Sequence, residues 1–172
     1  MPRTFDTIRC GNIMKIAGKD YIVLDINTGD VSLLAKDPAC RMEFGGDGDY
    51  AVSKVRNYLN GDFYRELAAS VGEENIVEHT VRLMADDGTG KGIVVNDKIS
   101  LLTTDMYRRY REYIPALGTS WWTATRVTHD NDTGYARDVC CVHSDGILLW
   151  YDCVYSHDVR PFYILKSSFF MS

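Results

Sequence analysis

Residues 121–166 read WWTATRVTHDNDTGYARDVCCVHSDGILLWYDCVYSHDVRPFYILK, and their pattern decides the fold class. Trp121 to Thr125, Ala136 to His143, Ile147 to Tyr151 and Val159 to Leu165 are rich in aromatic and β-branched residues and are separated by turn-forming clusters, so each reads as a strand. Ser144-Asp145-Gly146 closes a hairpin between the second and third of them. Working outward to the start of the chain, Ile13 to Ile16 and Tyr21 to Ile26 form another hairpin through Ala17-Gly18-Lys19-Asp20. Asn27-Thr28-Gly29-Asp30 then turns the chain into a third strand, Val31 to Ala35.

Between these strand-rich ends the period changes. Lys36 to Asp49, with Pro38, Gly45, Gly46 and Gly48, reads as a long loop. Val52, Val55, Leu59, Phe63 and Leu67 recur every three or four residues, which marks one buried helical face. Ser53 or Asp49 is placed to cap it, and Asn60-Gly61 is expected to split it into two short helices. Asn75 to Met84 is extended, Ala85 to Gly90 is a loop, and Ile99 to Leu102 is a short strand. It runs into Thr103-Thr104-Asp105, a helix start whose inner face is Tyr107, Tyr110 and Ile114 and which Pro115 and Gly118 end. Helices in the middle and strands at both ends predict an α+β domain of antiparallel sheets with two or three short helices, with the termini meeting in one sheet.

The chain has 172 residues, of which 45% are hydrophobic and 25% charged, enough for one core and one domain. Residues 1–10 read as a polar N-terminal lead and 11–172 as the domain. A net charge of −5 disfavours contact with phosphate backbones, so direct binding of nucleic acid is not expected. The best local exception, Arg108, Arg109 and Arg111 beside Tyr107 and Tyr110, spreads over more than one helical face and reads as a solvated surface. No apolar run reaches signal-peptide or membrane-span length, so no membrane partner is expected. The five cysteines form an odd set without framework spacing. Synthesis in the cytoplasm follows, with association with a virion left open.

Catalytic and metal signals are weak. Cys141, His143 and Cys153 are ligand types, but a zinc site normally shows two close pairs and only one C-x-H is present; Cys140 and Cys141, being adjacent, point to opposite faces of a strand. The acidic loops at Asp47-Gly48-Asp49, Asp86-Asp87-Gly88 and Asp130-Asn131-Asp132 suggest calcium, yet counting from Asp130 puts Tyr135 where an EF-hand needs glycine and Cys141 where it needs glutamate. No nucleophile elbow or phosphate-binding loop occurs, and the four histidines stand without a motif around any Ser or Cys. No cofactor and no catalytic residue is assigned, and the chain reads as a non-enzyme, with a hydrolase or transferase assembled from non-adjacent residues as the remaining alternative.

Aromatic density late in the chain carries more. Alternation along a strand would bury one of Trp121 and Trp122 and expose the other. Trp121, Phe162 and Ile164 read as core. Arg126, Tyr135, Arg137, Trp150, Tyr151, Tyr155 and His157, in polar or turn-like surroundings, are the candidate ligand-binding residues, because rigid amphipathic rings bury area at low entropic cost.

The order of motifs resembles an uncharacterised bacterial and phage domain family. Tyr21 to Asp25, Val31 to Asp37, Ser53-x-x-Arg56-x-x-Leu59-Asn60-x-x-Phe63, Asp97 to Leu102, Trp121 to Thr125 and Asp158-Val159-Arg160-Pro161-Phe162 follow its usual sequence of patterns over about residues 11 to 168. The chain departs from it at Tyr58, where the family has Trp, and at Asp158, where it has Gly. The resemblance implies a single domain of the C-type-lectin-like, formylglycine-generating-enzyme-like fold, and places ligand contacts between Arg126 and Asp158. The expected function is therefore a phage- or prophage-type module that binds a protein or glycan through its C-terminal loops. The alternative is a small acidic phage-encoded inhibitor of a host defence enzyme that handles nucleic acid, docking through the loops at Asp47, Asp86 and Asp130.

Overall fold

The computed structural model describes residues 5–171; Met1 to Thr4 of the polar lead, and Ser172, lie outside the described residues. β1 (Ile13–Ile16) and β2 (Lys19–Ile26) are joined where Ala17 and Gly18 both take positive φ, 51° and 79°. That two-residue reversal matches the twist of an antiparallel pair. β3 (Asp30–Ala35) and β4 (Cys40–Glu43) follow. The helical run comprises α1 (Lys54–Tyr58), one π turn (Leu59–Phe63) and α2 (Tyr64–Val71). Ser53 caps it, its hydroxyl accepting from the N–H of Arg56 at 3.0 Å, and Asp49 caps the short turn just before it. β5 (Ile76–Val77), β6 (His79–Arg82), β7 (Val94–Asp97) and β8 (Ile99–Ser100) precede α3 (Thr104–Tyr110), whose N-cap is Thr103. β9 (Trp121–Arg126), β10 (Asp138–Val142), β11 (Leu148–Asp152), β12 (Ser156–Val159) and β13 (Phe162–Lys166) complete the chain.

The result is a mixed α+β architecture, mostly antiparallel. One sheet runs β1-β2-β3-β13-β5, with β8 also on β13, so strands from both ends of the chain meet in it. The second runs β11-β10-β9-β12-β4, and β6 and β7 form a separate ribbon. The second sheet is antiparallel except at its centre, where β12 meets β9 in parallel through the single pair Asp158 and Trp121.

Two apolar clusters fill the interior. Tyr21, Val23 and Leu33 enter one, while their neighbours Ile22, Leu24 and Leu34 enter the other. The first sheet is thus covered on both faces, which is why β2 reads as a continuous apolar run. The second sheet repeats this: Trp121 joins one cluster and Trp122 the other, and both are buried. The expectation that alternation would expose one of them fails because each face of β9 has a core against it. Ile8 is also buried in the larger cluster, with Phe5 packed against it, so the lead is tied down from there.

Three further expectations are corrected. The stretch 36–49 is not all loop, since β4 pairs with β12 within it. Val159 to Leu165 is not one strand: it belongs to β12 and β13, in different sheets, and the chain changes sheet at Arg160-Pro161. Pro161 has no N–H for a ladder, and the residue before a proline is held extended, so the break falls there. Asn60-Gly61 does not split the helix but sits in the π turn. The Asn60 amide donates to Ile99 O at 2.8 Å and accepts from Ile99 N–H at 3.2 Å, acting as a strand partner for β8.

The same helix anchors β7 through a buried carboxylate. Asp97 accepts from Arg56 Nε and Nη2 at 2.9 and 2.8 Å and from the Tyr50 hydroxyl at 3.1 Å. Asp97→Ala removes all three bonds and leaves a guanidinium whose side chain is only 28% exposed without its partner. Breaking such a pair costs about 3–5 kcal/mol when fully buried, and the partial exposure of Arg56 lowers the expected loss to about 2–4 kcal/mol in urea denaturation. A loss below 1 kcal/mol would show that the network contributes little.

Candidate recognition surface

β11 is an edge strand, and its backbone bonds can be assigned. The hairpin closes with His143 N–H donating to Ile147 O at 2.7 Å, and past the far end Cys153 N–H donates to Arg137 O at 3.0 Å. Antiparallel bonding alternates along a strand, so Leu149 and Tyr151 bond inward to Cys141 and Val139. Leu148 and Trp150 turn their N–H and C=O groups outward. Neither proline, lysine nor bulge blunts this edge. Trp150 is 54% exposed and Tyr155 59%, and Ile147 and Val154 are exposed beside them.

Beneath the edge the rings form a graded stack. Tyr155 is held by a tight turn, its N–H donating to Asp152 O at 3.1 Å while Val154 N–H donates to Asp152 Oδ1 at 3.0 Å. Its ring lies edge-on to Tyr151 at 6.3 Å; Tyr151 lies 4.5 Å from His157, and His157 is edge-on to Trp122 at 4.7 Å. The series runs from solvent into the core. Trp150 is not part of it: it stands opposite Cys140 on the other face of the sheet, because neighbouring strand residues alternate.

The other expected contact residues have more structural duties. Arg126 donates through Nη2 to Ala136 O and, at 3.4 Å, to Asp47 O, tying the 46–48 turn to the strand that begins at Asp138. Arg137 lies 3.5 Å from Asp152 and 3.8 Å from Asp47. Tyr135 is exposed in the preceding loop, its N–H bonded to Thr133 Oγ1 at 3.1 Å, and does not share the ring stack. His157 is only 8% exposed, so the structure places it beneath the surface as a support for Tyr151. The 46–48 turn can approach because residue 48 is glycine: its φ is 87°, and a Cβ there would stand 3.0 Å from both Ala136 O and Arg137 O. Gly48, Ile147 and Val154 were missed by sequence reasoning. Gly48 carries a local signal, three glycines in four residues, but the exposure of the other two depends on β11 being an edge.

The three acidic loops come together beside this region. Asp86 and Asp87 N–H groups donate to Arg126 O and Val127 O at 2.9 and 3.2 Å, and Asp47 is reached by Arg126 and Arg137. Asp130 caps its own turn, accepting from Asp132 N–H. The cysteines form no disulfide among the described residues. Burial pushes the Cys140 thiol up to about 12 and Cys141 further still, so both behave as apolar core. No grouping of three or more metal-ligating side chains occurs among the described residues. No described helix is long and apolar enough to cross a membrane.

Comparison with protein-family models, curated proteins and solved structures finds no match for the chain. Fold and surface together define a mixed α+β domain with an aromatic, unpaired sheet edge.

His157 generates a pH dependence. Burial, and then the charge of Arg41, lower its pKa from the ordinary 6.5, against the smaller opposing pull of Asp158. Neither ring nitrogen has a hydrogen-bond partner among the described residues. The unfolded chain therefore takes up the proton first, so this contribution to stability is present above 6.5 and is lost as pH falls below it. His157→Phe keeps the ring and removes the orphaned nitrogens. It is expected to raise stability by about 1 kcal/mol at pH 7.5 and by more at pH 5.5, measured by urea unfolding. Equal changes at the two pH values would show that His157 does not titrate on unfolding.

Proposed function

We propose that the chain is a ligand-binding module of the phage or prophage type, built on a C-type-lectin-like domain, that binds rather than catalyses. Its ligand is a protein segment added as an extra strand along β11. The observation that carries this reading is the exposure of Trp150 and Tyr155 beside an unpaired strand edge. Monomeric domains rarely leave aromatic rings next to bare backbone donors and acceptors. Strand addition would use the outward groups of Leu148 and Trp150 for affinity and the flanking rings for selectivity. A glycan would use the rings but has no need of the strand edge. The motif order described above supports the fold and the location between Arg126 and Asp158. The cytoplasm as site of synthesis, with a virion as a further destination, belongs to the same reading.

The test is capture from bacterial lysate by the tagged domain, with mass spectrometry, using the wild type, Trp150→Ala, Trp150→Pro and Tyr155→Ala. Exposed positions tolerate these changes, so melting temperatures are expected to stay close to wild type. Each alanine variant should weaken capture by about thirtyfold, as for interface anchors, and Trp150→Pro should lose more than Trp150→Ala because it also deletes the outward N–H. A retained glycoconjugate that binds Trp150→Pro and Trp150→Ala equally would replace the peptide with a sugar. Capture unchanged in all variants would end this reading.

The gathering of Asp47, Asp86 and Asp87 beside Arg126 favours a second reading, inhibition of a basic, nucleic-acid-handling host enzyme through this acidic end. Substituting Asp47, Asp86 and Asp130 by Asn is then expected to release a captured nuclease and to flatten the salt dependence of its binding. Unaltered binding by that variant would remove this reading.

A further inference from the structure

A second, independent feature lies between the β6–β7 ribbon and α3. The ribbon register pairs Thr80 with Asn96 and Arg82 with Val94, and a 3.0 Å bond from Thr80 Oγ1 to Asn96 Oδ1 confirms that these side chains share a face. Val81, on the alternate face, is buried in the core. The Thr80–Arg82 face opens onto α3 through two adjoining hollows. The larger, about 400 Å³, is lined by Arg82, Asp105, Arg109 and Tyr110 among others; the smaller, about 190 Å³, by Arg82, Met84, Lys91, Ile93 and Val94. Arg82 borders both, together with Thr103 and Asp105, so its guanidinium can reach either hollow.

The groove's charge is unlike that of the rest of the molecule. Arg82, Lys91 and Arg109 come from three separate elements, and none has a carboxylate partner among the described residues. Arg109 is engaged by its neighbour Tyr110, hydrogen-bonding its hydroxyl and lying 6.0 Å from its ring. The one acid in the groove, Asp105, borders both hollows and is paired at 3.1 Å with Arg108, which also holds Asp86 at 3.2 Å. In a chain of net charge −5, three cations line the groove against a single carboxylate. Met84, Ile93 and Val94, all exposed, form an apolar floor at the Lys91 end. Small-molecule sites have volumes of about 300–1,000 Å³ and combine such an apolar wall with a few convergent polar groups.

We propose that this groove binds a phosphate ester of nucleotide size, its phosphate between Arg82 and Arg109 and its ring on Met84, Ile93 and Val94. Guanidinium groups match a phosphate through paired N–H donors, and Lys91 adds a point charge at the other end of the groove, beside the apolar floor. A lone phosphate would leave the apolar floor uncovered, and a neutral ring would leave the cations uncompensated. The site is separate from the β11 edge and does not depend on the reading of that surface.

The test is titration of the full chain, by calorimetry and two-dimensional NMR, with the four ribonucleoside 5′-monophosphates, their parent nucleosides, inorganic phosphate and a glutamate-rich peptide. At least one monophosphate is expected to bind at least tenfold more tightly than its nucleoside and than inorganic phosphate, shifting resonances at Arg82 and Arg109. Arg82→Gln and Arg109→Gln should each weaken that binding by about tenfold to a hundredfold without moving the melting temperature, and added salt should weaken the wild type. Binding of nucleoside and monophosphate alike, or full affinity in both Gln variants, would overturn the proposal. So would silence of every monophosphate, or preference for the peptide.

Discussion

The guanidinium of Arg160 is the point on which the two sheets close. It is 1% exposed and lies where the chain leaves the second sheet and enters the first. Its Nε donates to Ala35 O at 2.9 Å and its Nη2 to Lys36 O at 3.1 Å, at the end of β3. Its plane stands 4.7 Å from the Trp121 ring at the start of β9. Pro161 O accepts from Ala35 N–H at 2.9 Å, so the same few atoms fix the next residue as well. Burial lowers the pKa of Arg160 to about 10, with Asp37 the largest opposing influence, and it remains charged at neutral pH. A buried charge needs compensation, and here carbonyl dipoles and an indole face supply it at Nε, Nη2 and the guanidinium plane, while Nη1 has no hydrogen-bond partner among the described residues.

The polar and aromatic residues of the sequence motifs quoted at the outset do similar work. Ser53 caps the helix, Arg56 holds Asp97, Asn60 substitutes for a strand beside Ile99, and Trp121 receives Arg160. Each satisfies a polar group or fills a core that the fold would otherwise leave open. The rings of the candidate surface lie outside these motifs. That division has a physical basis: buried polar networks tolerate few alternatives, whereas exposed edge residues are under no such constraint.

What could be read from sequence follows the range of the interactions concerned. The β1–β2 and β10–β11 hairpins were legible because their turns are made by local backbone chemistry at Gly18 and at Ser144-Asp145-Gly146. The inner face of the first helical run was legible from a period of three and four at Val55, Leu59, Phe63 and Leu67, whereas Val52, expected on that face, lies in the turn before the helix and is 65% exposed. β4 was not, because Cys40 to Glu43 is half exposed and becomes a strand only when β12 lies beside it. The sheet change at Arg160 hid inside an apolar run. At the candidate surface, aromatic density pointed to a segment that holds exposed rings at a sheet edge, but the separation of Trp150 from Tyr151 and the burial of His157 depend on strand register and on Trp122, which sequence proximity does not encode.

The parallel contact at the centre of the second sheet has a mechanical consequence. β9, β10 and β11 form one laced unit, while β12 and β4 form another; among the described residues Asp158 with Trp121 is the sole strand pair between them, and Trp122 Nε1 adds one side-chain bond to Met42 O at 3.0 Å. A load applied to β11 passes readily through β10 to β9 and then meets this seam. Under tension the domain should part there, as two ribbons peeling from a shared core, before any strand of the first sheet slides.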